Sequence, residues 1–144
     1  MSTSIPPDFN EQVIEEFRAN QGRVGGMFDG MTLLLLHDQG AKSGKAHIHP
    51  LAYHSDDGRY VILASKGGAP TNPAWYHNLK ANPVITAEVG ARTLTVVAEE
   101  LDDSARAELW PKLVARFPSV GVYQATTARQ IPVFILTRMG RERA

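Results

Sequence analysis

Residues 31–64 read MTLLLLHDQGAKSGKAHIHPLAYHSDDGRYVILA, and they decide the fold. Three runs rich in leucine, isoleucine, valine and tyrosine, at 31–37, 47–53 and 60–64, are parted by short stretches of glycine, serine, aspartate and lysine. Apolar runs of this length bounded by turn residues read as β-strands. Connections as short as Ser55-Asp56-Asp57-Gly58 join their strands as hairpins, so neighbours pair antiparallel.

Working outward, 84–89, 93–100 and 133–138 have the same character, and Gly90-Ala91 supplies a turn between the first two. That makes six strands, mostly antiparallel, and favours a barrel or a meander. Before them, residues 7–20 place Phe9, Val13, Ile14 and Phe17 at helical spacing among acidic residues and then break at Gly22, Gly25 and Gly26. This amphipathic helix is expected to lid the core, with peripheral membrane contact the lesser alternative, because its acidic polar face would be repelled by anionic lipids. Asn72-Pro73 supplies an N-cap and a first-turn proline for a short helix ending near Asn82-Pro83. A further helix is expected from Asp102 or Asp103, with Leu109, Trp110, Leu113, Val114 and Phe117 on its apolar side and a kink or restart at Pro111.

No repeat, low-complexity stretch or linker divides the 144 residues, which suit one α+β domain with one core. Hydrophobic residues make up 43% and charged residues 21%, ordinary for a globular protein. Lysine plus arginine equal aspartate plus glutamate at 15 each, so there is no overall basic field for nucleic acid and any anion site must be local. The absence of cysteine excludes disulfides and thiolate chemistry and suits a reducing compartment, with the cytoplasm expected. The first ten residues lack the features of a secretory signal, and the longest apolar run, four leucines from Leu33, is too short to cross a bilayer.

The loop Gly40-Ala41-Lys42-Ser43-Gly44-Lys45 combines two ammonium groups, a hydroxyl and two glycines, the parts of an anion cradle. It falls short of a Walker loop, since the glycine spacing is one residue short and Ala46 stands where a metal-binding Ser or Thr is required. Taken alone it also reads as a solvated hairpin tip. A second polar loop, Ser65-Lys66-Gly67-Gly68, leads to the helix at Asn72, whose N-terminal amides favour anions, so the two could converge on one phosphate. Trp75, Tyr76, His77 and Asn78 offer a wall for a flat ring, although Trp75 and Leu79, four apart, also form a buried stripe. His47 and His49 share one strand face, but no nearby carboxylate supplies a third ligand, and His47 is read as a phosphate donor with no metal. No acid/base pair and no G-x-S-x-G elbow is present, which disfavours hydrolysis and leaves cofactor-borne redox chemistry.

Lys42-Ser43-Gly44-Lys45, Pro50-Leu51, Ala64-Ser65-Lys66-Gly67-Gly68-Ala69 and the stretch NPAWYHNLKANP at 72–83 resemble the deazaflavin-dependent nitroreductase and F420H2-dependent quinone reductase family. Trp110-Pro111, Phe117-Pro118 and Ile131-Pro132-Val133 continue the likeness to about residue 137. The resemblance implies a split β-barrel of the FMN-binding kind that uses reduced coenzyme F420, a deazaflavin with a phosphate and an oligoglutamate tail. It implies that Lys42, Ser43 and His47, with His49 beside them, face the phosphate and tail. Pro50, Leu51 and Ala52, and Leu63, Ala64, Ser65 and Lys66, would line the ring. Ala74, Trp75, Tyr76 and Asn78 would close the remaining side, with Val120 also counted among the cofactor-binding residues and Tyr123 as the catalytic candidate for proton delivery.

Two departures bear on function. The family commonly carries arginine at the positions of Ala41 and His47, so the grip on the tail is expected to be weaker and pH-sensitive. Nitroimidazole-activating relatives are tyrosine-rich where this chain has Phe117 and Val120, which points toward quinones and conjugated enones or unsaturated lactones rather than nitro compounds. The same barrel would also suit FMN or a pyridoxal-type phosphate, or a non-catalytic module binding flavin, heme or a lipophilic ligand. A homodimer through edge strands stays open.

Overall fold

The computed structural model describes residues 9–22, 32–56, 58–65 and 71–139. The start of the expected first helix before residue 9, the Gly25-Gly26 break, Met31, Asp57 and the 66–69 part of the second polar loop, Lys66 included, lie outside the described residues. Helix α1 (Phe9–Ala19) precedes strands β1 (Leu33–Gln39), β2 (Ala46–Ala52), β3 (His54–Asp56) and β4 (Arg59–Leu63). Helix α2 (Ala74–Ala81), strands β5 (Val84–Val89) and β6 (Arg92–Glu100), helices α3 (Asp103–Arg116) and α4 (Pro118–Thr126), and strand β7 (Val133–Arg138) complete the chain.

The strands form one seven-stranded sheet in the order β2-β1-β5-β6-β7-β4-β3, and every pairing is antiparallel. Its two edge strands, β2 and β3, are separated in the chain by Tyr53 alone. The sheet therefore curls so that one bent stretch of chain pairs with β1 through its first half and with β4 through its second. This is a split barrel. The strand beyond the six expected is β3, which forms where the composition of 55–56 predicts a turn. Gly58, at φ +80, makes the hairpin so tight that Asp56 already pairs with Arg59.

Strand alternation sorts the apolar residues. Leu34 and Leu36 point into the barrel with Tyr60, Ile62, Ala87, Val96, Phe134 and Leu136, and α2 adds Trp75 and Leu79 to the same cluster. Leu33 and Leu35 face outward, where Val13 and Phe17 of α1 bury them. The four leucines are thus covered on both faces, each contributing roughly 1.5–3 kcal/mol of burial. Val13 and Phe17 thus turn the apolar face of α1 onto the sheet. Arg18 fastens the helix, donating to both oxygens of Glu88 at 3.0 and 2.6 Å, and His37 meets the same carboxylate at 2.6 Å. No helix among the described residues is long and apolar enough to cross a membrane.

Helix α3 covers the outer face of β4 and β7 through Leu109 and Leu113 against Val61, Val133 and Ile135. Asp102 caps it, accepting from Ala105 N at 2.8 Å, a contact worth about 1 kcal/mol. Two local expectations are corrected. The helix does not restart at Pro111, one of the two outcomes expected there, but continues to Arg116 and breaks at Phe117, where Pro118 starts α4. The N-cap position of α2 is Pro73, with no side-chain cap, because Asn72 is engaged elsewhere: its Oδ1 accepts from Arg129 at 2.7 Å.

Candidate active site

The β1–β2 connection is held as a compact loop. Gly40 N donates to Lys45 O at 2.8 Å, Gly44 N to Gly40 O at 3.0 Å, and Lys45 N to Ser43 Oγ at 3.1 Å. Ser43 Oγ lies so close to Gly40 that a Cβ there would sit 2.4 Å from it, so residue 40 has to be glycine for the hydroxyl to take this place. The loop overhangs a cavity of about 550 Å³ lined by Gly40, Ala41, Lys42, Ser43 and His47 on one side and by Ala74, His77 and Asn78 of α2 on the other. Lys42, Ser43 and His47 are exposed, so their donors are available to an anion.

Beneath the loop lies a polar network. Asn78 is buried, and its Nδ2 donates to Asp38 Oδ2 at 2.6 Å while its Oδ1 accepts from Ala41 N at 2.9 Å. The carboxamide therefore ties α2 to the end of β1 and to the loop at once. Asp38 pairs with His47 in register, and its Oδ1 lies 3.0 Å from His49 Nε2. That contact is an ion-pair distance without hydrogen-bond alignment, so both fully buried atoms lack an aligned partner. Burial pushes the Asp38 carboxyl up, but His49, Asn78 and His47 together outweigh it and hold it below the usual carboxylate range. A carboxylate thus does neighbour the histidines, contrary to the sequence reading, because the β1–β2 register brings it there. Among the described residues no group of three or more such side chains is arranged to hold a metal ion.

Farther along β2 a second cavity of about 210 Å³ opens between Pro50, Leu51, Ala52, Leu63 and Ser65 of the barrel and Phe117, Ser119, Val120 and Tyr123 of the α4 region. Most of this lining is apolar, with three hydroxyls. His47 of the larger cavity and Pro50 of the smaller are three residues apart on β2, which sets their Cα atoms about 10 Å apart along the strand at roughly 3.3 Å per residue. A hydrogen-bonded frame sets α4. Gln124 Oε1 accepts from Ile131 N and from Arg106 Nη2, each at 2.9 Å, and Gln124 Nε2 donates to Arg129 O at 2.8 Å. Arg106 also stacks over Trp110, 4.2 Å from the ring centre.

Of the residues singled out from the sequence, Lys42, Ser43, His47, Ala74 and Asn78 line the larger cavity, and Pro50, Leu51, Ala52, Leu63, Ser65, Val120 and Tyr123 line the smaller. Four line neither. Ala64 is fully buried in the barrel cluster, and Trp75 packs edge-on against Phe134 at 6.0 Å. Tyr76 also packs on Phe134, and its hydroxyl donates to Glu100 Oε1 at 3.2 Å. His49 sits below the loop against Asp38. Asp38, Ser119 and Arg129 were not singled out. The hairpin register places Asp38 opposite His47 and could have found it, whereas no local signal marks Arg129.

The sequence model described as F420H(2)-dependent quinone reductase matches residues 10–138. An F420H(2)-dependent quinone reductase of Mycobacterium tuberculosis (strain H37Rv) is 40% identical over 129 residues, 85% of each chain. Among solved structures, an F420-H2 dependent reductase (FDR-A) is 41% identical with a TM-score of 0.66, over 72% of this chain and 92% of that one. A structure described as a domain-swapped dimer is 36% identical with a TM-score of 0.69, over 92% of this chain and 99% of that one. A heme storage protein of Vibrio cholerae, 17% identical over 92% of each chain with a TM-score of 0.56, shares the fold. The chain belongs to the F420H(2)-dependent quinone reductase family.

Proposed function

We propose that this F420H2-dependent oxidoreductase seats the phosphate and tail of reduced F420 in the larger cavity and reduces a quinone in the smaller one. The observation that carries this reading is the pairing of a cavity that presents the Lys42, Ser43 and His47 donors with a second one walled by Pro50, Leu51, Leu63, Phe117 and Val120. The residues present fit the cofactor. Lys42, Ser43 and His47 offer donors to a phosphate or a tail carboxylate, and the missing Cβ of Gly40 leaves room for the Ser43 hydroxyl. Asp38, the one buried carboxylate among the described residues, is turned to Asn78 and His49.

Bound in its reduced form, F420 supplies a hydride. The apolar wall of Pro50, Leu51, Leu63, Phe117 and Val120 excludes water and orients a flat substrate, which is where positioning accelerates transfer. A quinone that accepts the hydride also needs one proton to become the hydroquinone, and Tyr123, on the same wall, is the group we assign to deliver it. Phe117 and Val120 give two positions of that wall no hydroxyl, which favours quinones and conjugated enones over nitro compounds. The solved relative described as a domain-swapped dimer supports a homodimer, and the absence of cysteine accords with a cytoplasmic setting.

The test is a titration of the purified protein with reduced F420 and with FMN, followed by stopped-flow oxidation on adding menadione, a coumarin-type enone or a nitroimidazole. The expected result is F420 binding with fastest turnover on menadione. Preference for FMN, or F420 binding without turnover on any acceptor, overturns the reading.

A further inference from the structure

Arg129 lies on the connection between α4 and β7, outside both cavities, yet three acceptors converge on its guanidinium. Nη1 donates to Ala64 O at 3.0 Å and to Asn72 Oδ1 at 2.7 Å, and Nη2 donates to Ser65 O at 2.7 Å. Those acceptors stand on either side of the second polar loop: Ala64 and Ser65 where β4 ends, and Asn72 two residues before α2. The backbone carbonyl of Arg129 in turn accepts from Gln124 of α4.

We propose that Arg129 is the positioning residue that sets the two cavities relative to each other for reduced F420, a proposal that rests on the cofactor reading above. Ser65 and Tyr123 line the smaller cavity, and Ala74, just past Asn72, lines the larger. Arg129 touches or neighbours every one of these walls from behind: β4 through the Ala64 and Ser65 carbonyls, the approach to α2 through Asn72, and α4 through Gln124. A ligand whose ring lies in one cavity and whose phosphate lies in the other needs the walls at a fixed spacing, and a shift on the order of 1 Å is enough to cost affinity or rate. The planar fork of a guanidinium can hold several acceptors in fixed directions, whereas an ammonium is a point charge on a flexible stem. Arg129→Lys therefore keeps the charge and loses the geometry.

The experiment uses the full chain as Arg129→Lys, Arg129→Ala and Asn72→Ala beside the wild type. In the ligand-free proteins, amide hydrogen exchange is expected to quicken at 60–65 and 71–78 in both Arg129 variants, with α1 and β5–β6 unchanged. With reduced F420 and menadione, the KM for F420 is expected to rise at least tenfold in Arg129→Lys and about threefold in Asn72→Ala. Wild-type exchange in a folded Arg129→Lys, or an F420 KM within twofold of wild type, overturns the proposal. Should Arg129→Ala fail to fold, the Lys and Asn72 variants carry the same decision. Should the wild type itself not oxidise reduced F420, the cofactor reading falls, and the ligand-free exchange comparison still decides whether Arg129 holds the two walls.

Discussion

Asn78 Nδ2 stands 2.6 Å from Asp38 Oδ2, and the other end of the same carboxamide accepts from Ala41 N at 2.9 Å. One buried side chain on α2 thus holds a buried carboxylate on β1 and the backbone of the loop that overhangs the larger cavity. Asn78 also lines that cavity, so it braces from within the wall of the site proposed for the phosphate. Its replacement by Ala leaves Asp38 Oδ2 and Ala41 N without these partners, at a cost of about 1.5–3 kcal/mol for a hydrogen bond to a charged group. Chemical denaturation should show that loss, and titration should show weaker F420 binding. An Asn78→Ala variant with wild-type F420 affinity would separate the strut from the site.

The acid limb of stability should report Asp38 and Glu88. Burial opposes ionisation of Asp38, but its contacts to His49 and Asn78 prevail. In Glu88 the Arg18 hydrogen bond comes first, burial opposes it and His37 adds to it, and both carboxyls are held below their ordinary range. Their unfolded values are about 3.9 and 4.3. A folded pKa below the unfolded one contributes stability that is complete above the unfolded value and lost as pH falls toward the folded one. Denaturation midpoints should therefore hold steady above about pH 5 and drop below about pH 4. Glu88→Gln and Asp38→Asn should each be less stable at neutral pH and show a shallower acid drop.

Gly40→Ala tests the loop without touching a charge. Its Cβ would meet Ser43 Oγ at 2.4 Å, so the hydroxyl or the loop has to shift. F420 affinity should fall roughly tenfold, equivalent to about 1.4 kcal/mol, while the thermal midpoint changes little. Unchanged affinity would show that Ser43 does not contact the cofactor.

Tyr123→Phe removes only the hydroxyl from the wall of the smaller cavity. With Tyr123 as proton donor, kcat on menadione should drop about a hundredfold or more while F420 affinity stays within twofold. A kcat within threefold of wild type would assign the proton to solvent.

Much of the fold was legible because the signals that encode it are local. Turn residues at 40–45, 55–58 and 90–91 mark hairpins, and Asp102 caps the helix it precedes. The third strand was missed because Ser55 and Asp56 are turn-formers by composition, and only pairing with Tyr60 and Arg59 makes them extended. Pro111, where a kink or a restart was expected, does not restart its helix, since packing of Leu109 and Leu113 on β4 and β7 outweighs a local propensity. Asn72 looked like a cap for the same reason in reverse: the local pattern permits it, and an arginine 57 residues away recruits its side chain.

By itself the sequence determined the strand and helix types and the antiparallel hairpins, and its family resemblance pointed to most of the residues that line the two cavities. Strand alternation, turn chemistry and apolar spacing act over a few residues and are written into the order of side chains. The tertiary structure alone decided that the two edge strands are consecutive in the chain and that Asp38 lies under the histidines. It also decided that Trp75 and Tyr76 pack on Phe134, and that Arg129 reaches Ala64 and Ser65. Buried polar groups must find partners, and which partner arrives depends on distant segments folding over the same place, so no short stretch of sequence records it.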